Sequence, residues 1–174
     1  FHLDKLAEAG VVDVRFERTS GRSGPGAGRP AKLYRPRADE VTVSVPDRRY
    51  DLAGSLLATA VAESARTGLP VEECLRTAAR TAGRQHADLA HAEESAELLT
   101  VLAEQGYEPE VTAGGEIALA NCPFHRLAEE HRQLVCGMNL DFLEGVLEGL
   151  ATDVDVRARL DPAPGYCCVR IAAA

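Results

Sequence analysis

The chain has 174 residues, enough for one domain of ordinary size or two small ones, and no apolar run approaches the roughly 20 residues of a membrane span. The amino end is neither basic nor followed by a long apolar core, and five cysteines make no fully paired disulfide scaffold, so the sequence reads as cytoplasmic, with reduced thiols free to hold a metal. The formal net charge of −8 splits into +4 for residues 1–37 and −12 for the rest, which points to a polyanion partner for the first block alone.

In chain order, FHLDKLAEAG places Phe1, Leu3, Leu6 and Ala9 at helical spacing and stops at Gly10, which reads as the end of a helix already under way at Phe1. Val12, Val14 and Phe16 then alternate with Asp13, Arg15 and Glu17, as in a half-buried strand. SGRSGPGAGRP follows as a loop, and AKLYR as a second short strand. Helix, strand, cationic tip and strand is the order of the wing in a winged-helix DNA-binding domain. The helix would lie in the major groove, and the glycine-flanked Arg22 and Arg29 would reach phosphates. The expected DNA contacts are His2, Lys5, Arg22, Arg29 and Lys32.

Residues 38–45 read as a linker ended by Pro46. Helical periodicity covers Tyr50 to Ala65, about Pro70 to Ala90, and Ala92 to Gln105. These helices are natural dimerisation elements. Strands are expected at Tyr107–Thr112 and Glu116–Asn121 around a turn at Ala113-Gly114-Gly115. A short helix from Pro123, a longer one over Leu134–Leu150, and strands at Val154–Leu160 and Cys167–Ala172 complete the pattern. The expected class is α+β: the second half of a winged helix-turn-helix (1–37), a linker and helical dimerisation region (38–106), and a small antiparallel sheet with helices (107–174).

Four of the five cysteines lie in NCPFHRLAEEHRQLVCGMN and GYCCVRI. Thiolates are soft ligands that suit zinc, copper(I) and iron–sulfur clusters. Cys122 and His125, separated by two residues at a strand-to-helix junction, can present sulfur and imidazole to one point; Cys136 follows at the start of the long helix. Neighbouring strand residues face opposite ways, so one of Cys167 and Cys168 is expected to ligate. Cys168 is preferred, because Cys167 shares the core-like face of Val169 and Ile171. The expected metal set is therefore Cys122, His125, Cys136 and Cys168, with a disulfide inside the group as another possibility. Cys74 reads as core, His131 as exposed, and His86 and His91 as solvated positions.

HLDKLAEAGVV resembles the end of the recognition helix of ArsR-type winged-helix repressors, matching at His2, Leu3, Leu6, Ala9, Gly10, Val11 and Val12. The last third is similar to the sensor domain of the iron–sulfur Suf-operon repressors, in Cys122 with Pro123, Cys136, and Cys167 or Cys168. A further cysteine usual in that family has no counterpart in the corresponding segment, near Thr152 to Asp155; this chain has His125 and a doubled Cys167-Cys168 instead. The resemblance implies a homodimeric repressor that binds double-stranded DNA under control of an iron–sulfur cluster or zinc. Two other readings stand beside it. One is a regulator sensing a small organic ligand, its cysteines structural. The other is an enzyme using Cys122 and His125 as nucleophile and base, disfavoured because no orienting acid and no phosphate-binding glycine loop is evident.

Overall fold

The structure, a computed structural model, describes residues 2–18, 29–37, 44–92, 97–150 and 156–173, without the side chains of 91 and 92. They fall into two compact units, 1–43 and 44–174. Among the described residues no helix is long and apolar enough to cross a membrane.

The first unit is α1 (His2–Glu8) followed by an antiparallel hairpin of β1 (Val12–Glu17) and β2 (Ala31–Pro36), with Val14 opposite Tyr34. Gly10 ends α1 with φ at 73°; its N–H bonds the Ala7 carbonyl at 3.1 Å and the Val11 N–H bonds Leu6 at 2.9 Å, the paired reach of a Schellman cap. Asp4 ties helix to hairpin by accepting from the Lys32 ammonium and from the Tyr34 hydroxyl, the latter at 2.8 Å. The Lys32 bond, chiefly, holds the Asp4 carboxyl down to about 2. The strand alternation expected through Phe16 breaks there: Val12 and Val14 are half-buried, but Phe16 is exposed.

The second unit carries α2 (Tyr50–Thr67), α3 (Val71–Ala92), α4 (Leu98–Glu104), β3 (Pro109–Val111), β4 (Ile117–Leu119), α5 (His125–Glu130), α6 (Arg132–Leu150), β5 (Val156–Leu160) and β6 (Val169–Ala173). The strands form one antiparallel sheet in the order β3-β4-β6-β5. An α+β architecture with a small antiparallel sheet is thus what the chain adopts. The helix expected from Ala92 begins, in its described part, at Leu98; Ala92 closes α3, whose buried face continues through Ala87 and Ala90. Residues 93–96 lie outside the described set.

The centre of the unit is the crossing of α3 and α6, beneath the sheet. The helices approach to backbone contact because glycines stand at the crossing. A methyl on Gly83 would overlap the Phe142 carbonyl and lie 2.7 Å from the Val146 nitrogen; one on Gly145 would overlap the Arg80 carbonyl. Phe142, Leu143 and Val146 of α6 are buried there, together with Leu102, Leu119, Val169 and Ile171 from the elements around it. The helical residues of 50–106 therefore share one core with the sheet of 107–174.

Candidate functional site

Three parts of the second unit bring four sulfurs to one place. Cys122 follows β4 in a tight turn closed by the His125 N–H on the Cys122 carbonyl at 3.1 Å, so α5 starts at His125 rather than at Pro123. Cys136 lies early in α6. Cys167 and Cys168 sit in the bend just before β6, after a turn in which Gly165 takes φ of 80°. The Cys167 N–H bonds the Leu119 carbonyl at 2.8 Å, which sets this bend beside the end of β4 and hence beside Cys122.

Cys136 and Cys168 are joined by a disulfide, their Cα atoms 6.3 Å apart. Cys122 and Cys167 are free thiols that hydrogen-bond to one another. That bond, chiefly, with help from the Phe124 N–H and the charge of Arg48, brings the Cys122 thiol down to about 7 against the opposing effect of burial. The same bond, with burial, pushes Cys167 well above its ordinary range. Once the first proton leaves, the two sulfurs share the one that remains, with Cys122 bearing the negative charge. Beneath them, fully buried Asn139 donates through Nδ2 to the Cys167 sulfur at 3.2 Å and accepts from the buried Tyr107 hydroxyl. A buried polar group with both ends satisfied fixes one orientation for the sulfur above it.

Cys122, Cys136, Cys167, Cys168 and His125 all border a single open cleft of about 510 Å³. The set expected from the sequence, Cys122, His125, Cys136 and Cys168, is therefore drawn together, and Cys167 joins it. Cys167 is 2 % exposed and belongs by burial to the core, as Val169 and Ile171 do. It nonetheless borders the cleft beside Cys168, both residues lying before β6, which starts at Val169. An acid stands beside His125 that the sequence reading passed over: Glu129, one turn along α5, lies 3.3 Å from His125 Nε2, with both side chains more than half exposed.

The remaining candidates lie elsewhere. Cys74 is buried on α3 and lines a different groove, against α2. His131 is exposed. His86 bonds the Ala82 carbonyl at 2.8 Å and packs edge-on against Phe142, a packing role. The side chain of His91 lies outside the described set. On the first unit His2, Lys5 and Arg29 are exposed, Lys32 is engaged by Asp4, and Arg22 lies outside the described residues.

Among the described residues, no three His, Cys, Asp or Glu side chains form a ready cage for a metal ion. Two of the four sulfurs are bonded to each other, and reduction of that bond is the condition for all four to act as ligands. With it reduced, four thiols and an imidazole face one cleft, a donor set suited to zinc or an iron–sulfur cluster. No family model, curated protein or solved structure matches the chain.

Proposed function

We propose that the chain is a DNA-binding transcriptional regulator, a homodimeric repressor on duplex DNA, whose grip is set by a sulfur centre in the cleft of the second unit. The observation that carries this reading is the gathering of Cys122, Cys136, Cys167 and Cys168, with His125, around one opening. Cysteines kept only as small apolar residues would be scattered through a core, as Cys74 is. The basic first unit, a short helix followed by a hairpin, supplies the DNA side, in keeping with its resemblance to the ArsR-type wing.

The reduced cysteines would hold the metal centre, with His125 as a further donor at the rim. Such a centre would supply a soft, strongly bound crosslink between β4, α6 and the bend before β6. The protein's own part is to hold the sulfurs in place: Asn139 orients Cys167, and the turn after β4 presents Cys122. Protein purified anaerobically and reduced should carry about one metal centre per chain, brown with sulfide for a cluster or colourless for zinc. Serine at any one of the four cleft cysteines should lower the loading, and Cys74→Ser should not. Loading below about a tenth per chain, or loading that follows Cys74, would end the metal reading.

A second reading rests on the Cys136–Cys168 bond standing beside a thiol brought down to about 7. In it the cleft is a thiol switch without metal. Closing the bond removes two electrons and two protons from the Cys136 and Cys168 thiols, and an oxidant of the hydroperoxide class takes them up. Duplex binding that follows reduction by dithiothreitol in metal-free protein would favour this form; binding that follows metal alone would favour the first.

A further inference from the structure

The second unit opens on a six-residue segment, Ser44 to Arg49, between the first unit and α2. Apart from the start of α2, where Arg49 lies 3.6 Å from Asp51 and accepts from the Ala53 N–H, the segment is anchored, among the described residues, at the β4-to-α5 junction that carries Cys122 and beside it at Gln105-Gly106. Arg48 Nη1 donates to the Cys122 carbonyl at 3.0 Å and to the Asn121 side-chain oxygen. Asn121, 6 % exposed, returns its Nδ2 to the Asp47 carbonyl at 3.0 Å and to the Gly106 carbonyl at 2.6 Å. The Arg49 N–H bonds the Pro123 carbonyl at 3.1 Å, and the Arg49 guanidinium bonds Gln105 at 2.7 Å. Ser44 Oγ accepts from the Arg48 N–H at 2.8 Å and so closes the segment on itself. Gly106, with φ of 83°, lets Asp47 close in: a Cβ there would sit 3.1 Å from that of Asp47.

The geometry points to residues 44–49 as a transmission clasp that reports the bonding state of Cys122 to the chain entering the first unit. This rests on the regulator reading above. The clasp grips main-chain carbonyls of Cys122 and Pro123, not the thiol itself, so it senses where that backbone lies. Cys122 has one sulfur and competing partners for it: Cys167 as found here, or a metal shared with Cys136 and Cys168. Each partner draws the short turn 121–124 to its own position, and the Cys122 carbonyl moves with it. Arg48 and Arg49 must then follow or let go. Before Ser44 the sequence runs through residues 38–43, outside the described set, to β2, which ends at Pro36. A clasp serving only to cap α2 would not need a buried asparagine spanning Asp47 and Gly106, since a side chain at Arg49's own position would suffice.

The test is amide hydrogen exchange on the full chain in two states, the disulfide form and the form reduced with dithiothreitol and saturated with Zn²⁺. A fluorescent duplex titration is run in parallel. In the wild type, protection of the Arg48 and Arg49 amides should differ between states by about fivefold or more, the equilibrium equivalent of one hydrogen bond. Arg48→Ala should keep its thiol titre and zinc stoichiometry, while exchange at Arg49 ceases to follow the state and the ratio of duplex affinities falls toward one. Arg48→Gln, which retains one donor, takes its place if the alanine variant does not fold. Equal protection of 48 and 49 in both wild-type states overturns the clasp, as does, where wild-type duplex affinity follows the state, an Arg48 variant that keeps the wild-type affinity ratio. Exchange that follows the state while duplex affinity does not supports the clasp and overturns the DNA-regulator reading alone.

Discussion

Replacing Cys167 by alanine should make the Cys122 thiol less acidic, and the size of the effect can be worked from the cleft. A thiol brought to about 7 is about half ionised at pH 7, against about 3 % for an ordinary cysteine near 8.5. The gain in thiolate is about 15-fold, but lower basicity reduces intrinsic nucleophilicity roughly fivefold. The net advantage at pH 7 is only about threefold, so the rate alone does not identify the residue; its pH dependence does. The thiolate is the reactive form, so carbamidomethylation of Cys122 should rise with pH through a midpoint near 7. In Cys167→Ala the largest cause of the shift is gone, and only the Phe124 N–H and Arg48 oppose burial. The midpoint should move up by about one unit or more, leaving about a tenth or less ionised at pH 7. Iodoacetamide labelling from pH 5.5 to 9, read by peptide mass without reductant so that Cys136–Cys168 stays closed, measures both curves, with buried Cys74 as the internal reference. A wild-type midpoint at 8.5 or above, or a midpoint unmoved by Cys167→Ala, would refute the shared-proton account.

Gly83→Ala should destabilise the second unit by about 2 kcal/mol or more in a urea titration, because the methyl overlaps the Phe142 carbonyl at the helix crossing; an unchanged midpoint would mean the helices separate freely there. Asn139→Leu leaves the Tyr107 hydroxyl unpaired in the core and the Cys167 sulfur without its donor, and should cost about 1–3 kcal/mol by the same assay, while Asn139→Ser with room for water should recover part of it. Arg29→Ala should weaken binding to every duplex about equally and lower the slope of log affinity against log salt by about one; an unmoved affinity would remove the hairpin from the DNA contact. Zinc at a hundredfold excess over its dissociation constant should stabilise the reduced chain by about 2.7 kcal/mol, seen as a higher thermal midpoint that chelation reverses.

The helices were legible because burial repeats at their own period: Leu56 with Ala60 on α2, Leu75 with Ala79 on α3. The short strands were legible because Gly115 and Gly165 mark the turns before them, though β3 and β4 are each only three residues long. The cleft was legible to the extent that cysteines clustered in the sequence. Cys167 is in the core, as its shared face with Val169 and Ile171 implied, and its place at the edge of the cleft as well has no signal in the residue pattern. Glu129 was in plain view at i+4 from His125 on a helix, and its spacing was the signal available. Gly83 and Gly145 resemble weak helix positions, and only the partner helix shows why a side chain is barred there. The link from Arg48 to Asn121 joins residues 73 apart and carries no local pattern at all.

The two sulfur pairs are not independent. Cys167 and Cys168 are neighbours on one backbone, so any change in the partner of one displaces the anchor of the other. The Cys136–Cys168 bond closes a loop over a separation of 32 residues, worth about 3–4 kcal/mol by chain entropy. A metal bound across the reduced sulfurs at a hundredfold excess returns about 2.7 kcal/mol. At that assumed excess a bound metal would restore most of what opening the disulfide removes, so a disulfide state and a metal-bound state of the unit would be of comparable stability. What differs between them is local: the partner of Cys122, the position of its carbonyl, and the hold of Arg48 and Arg49 upon it.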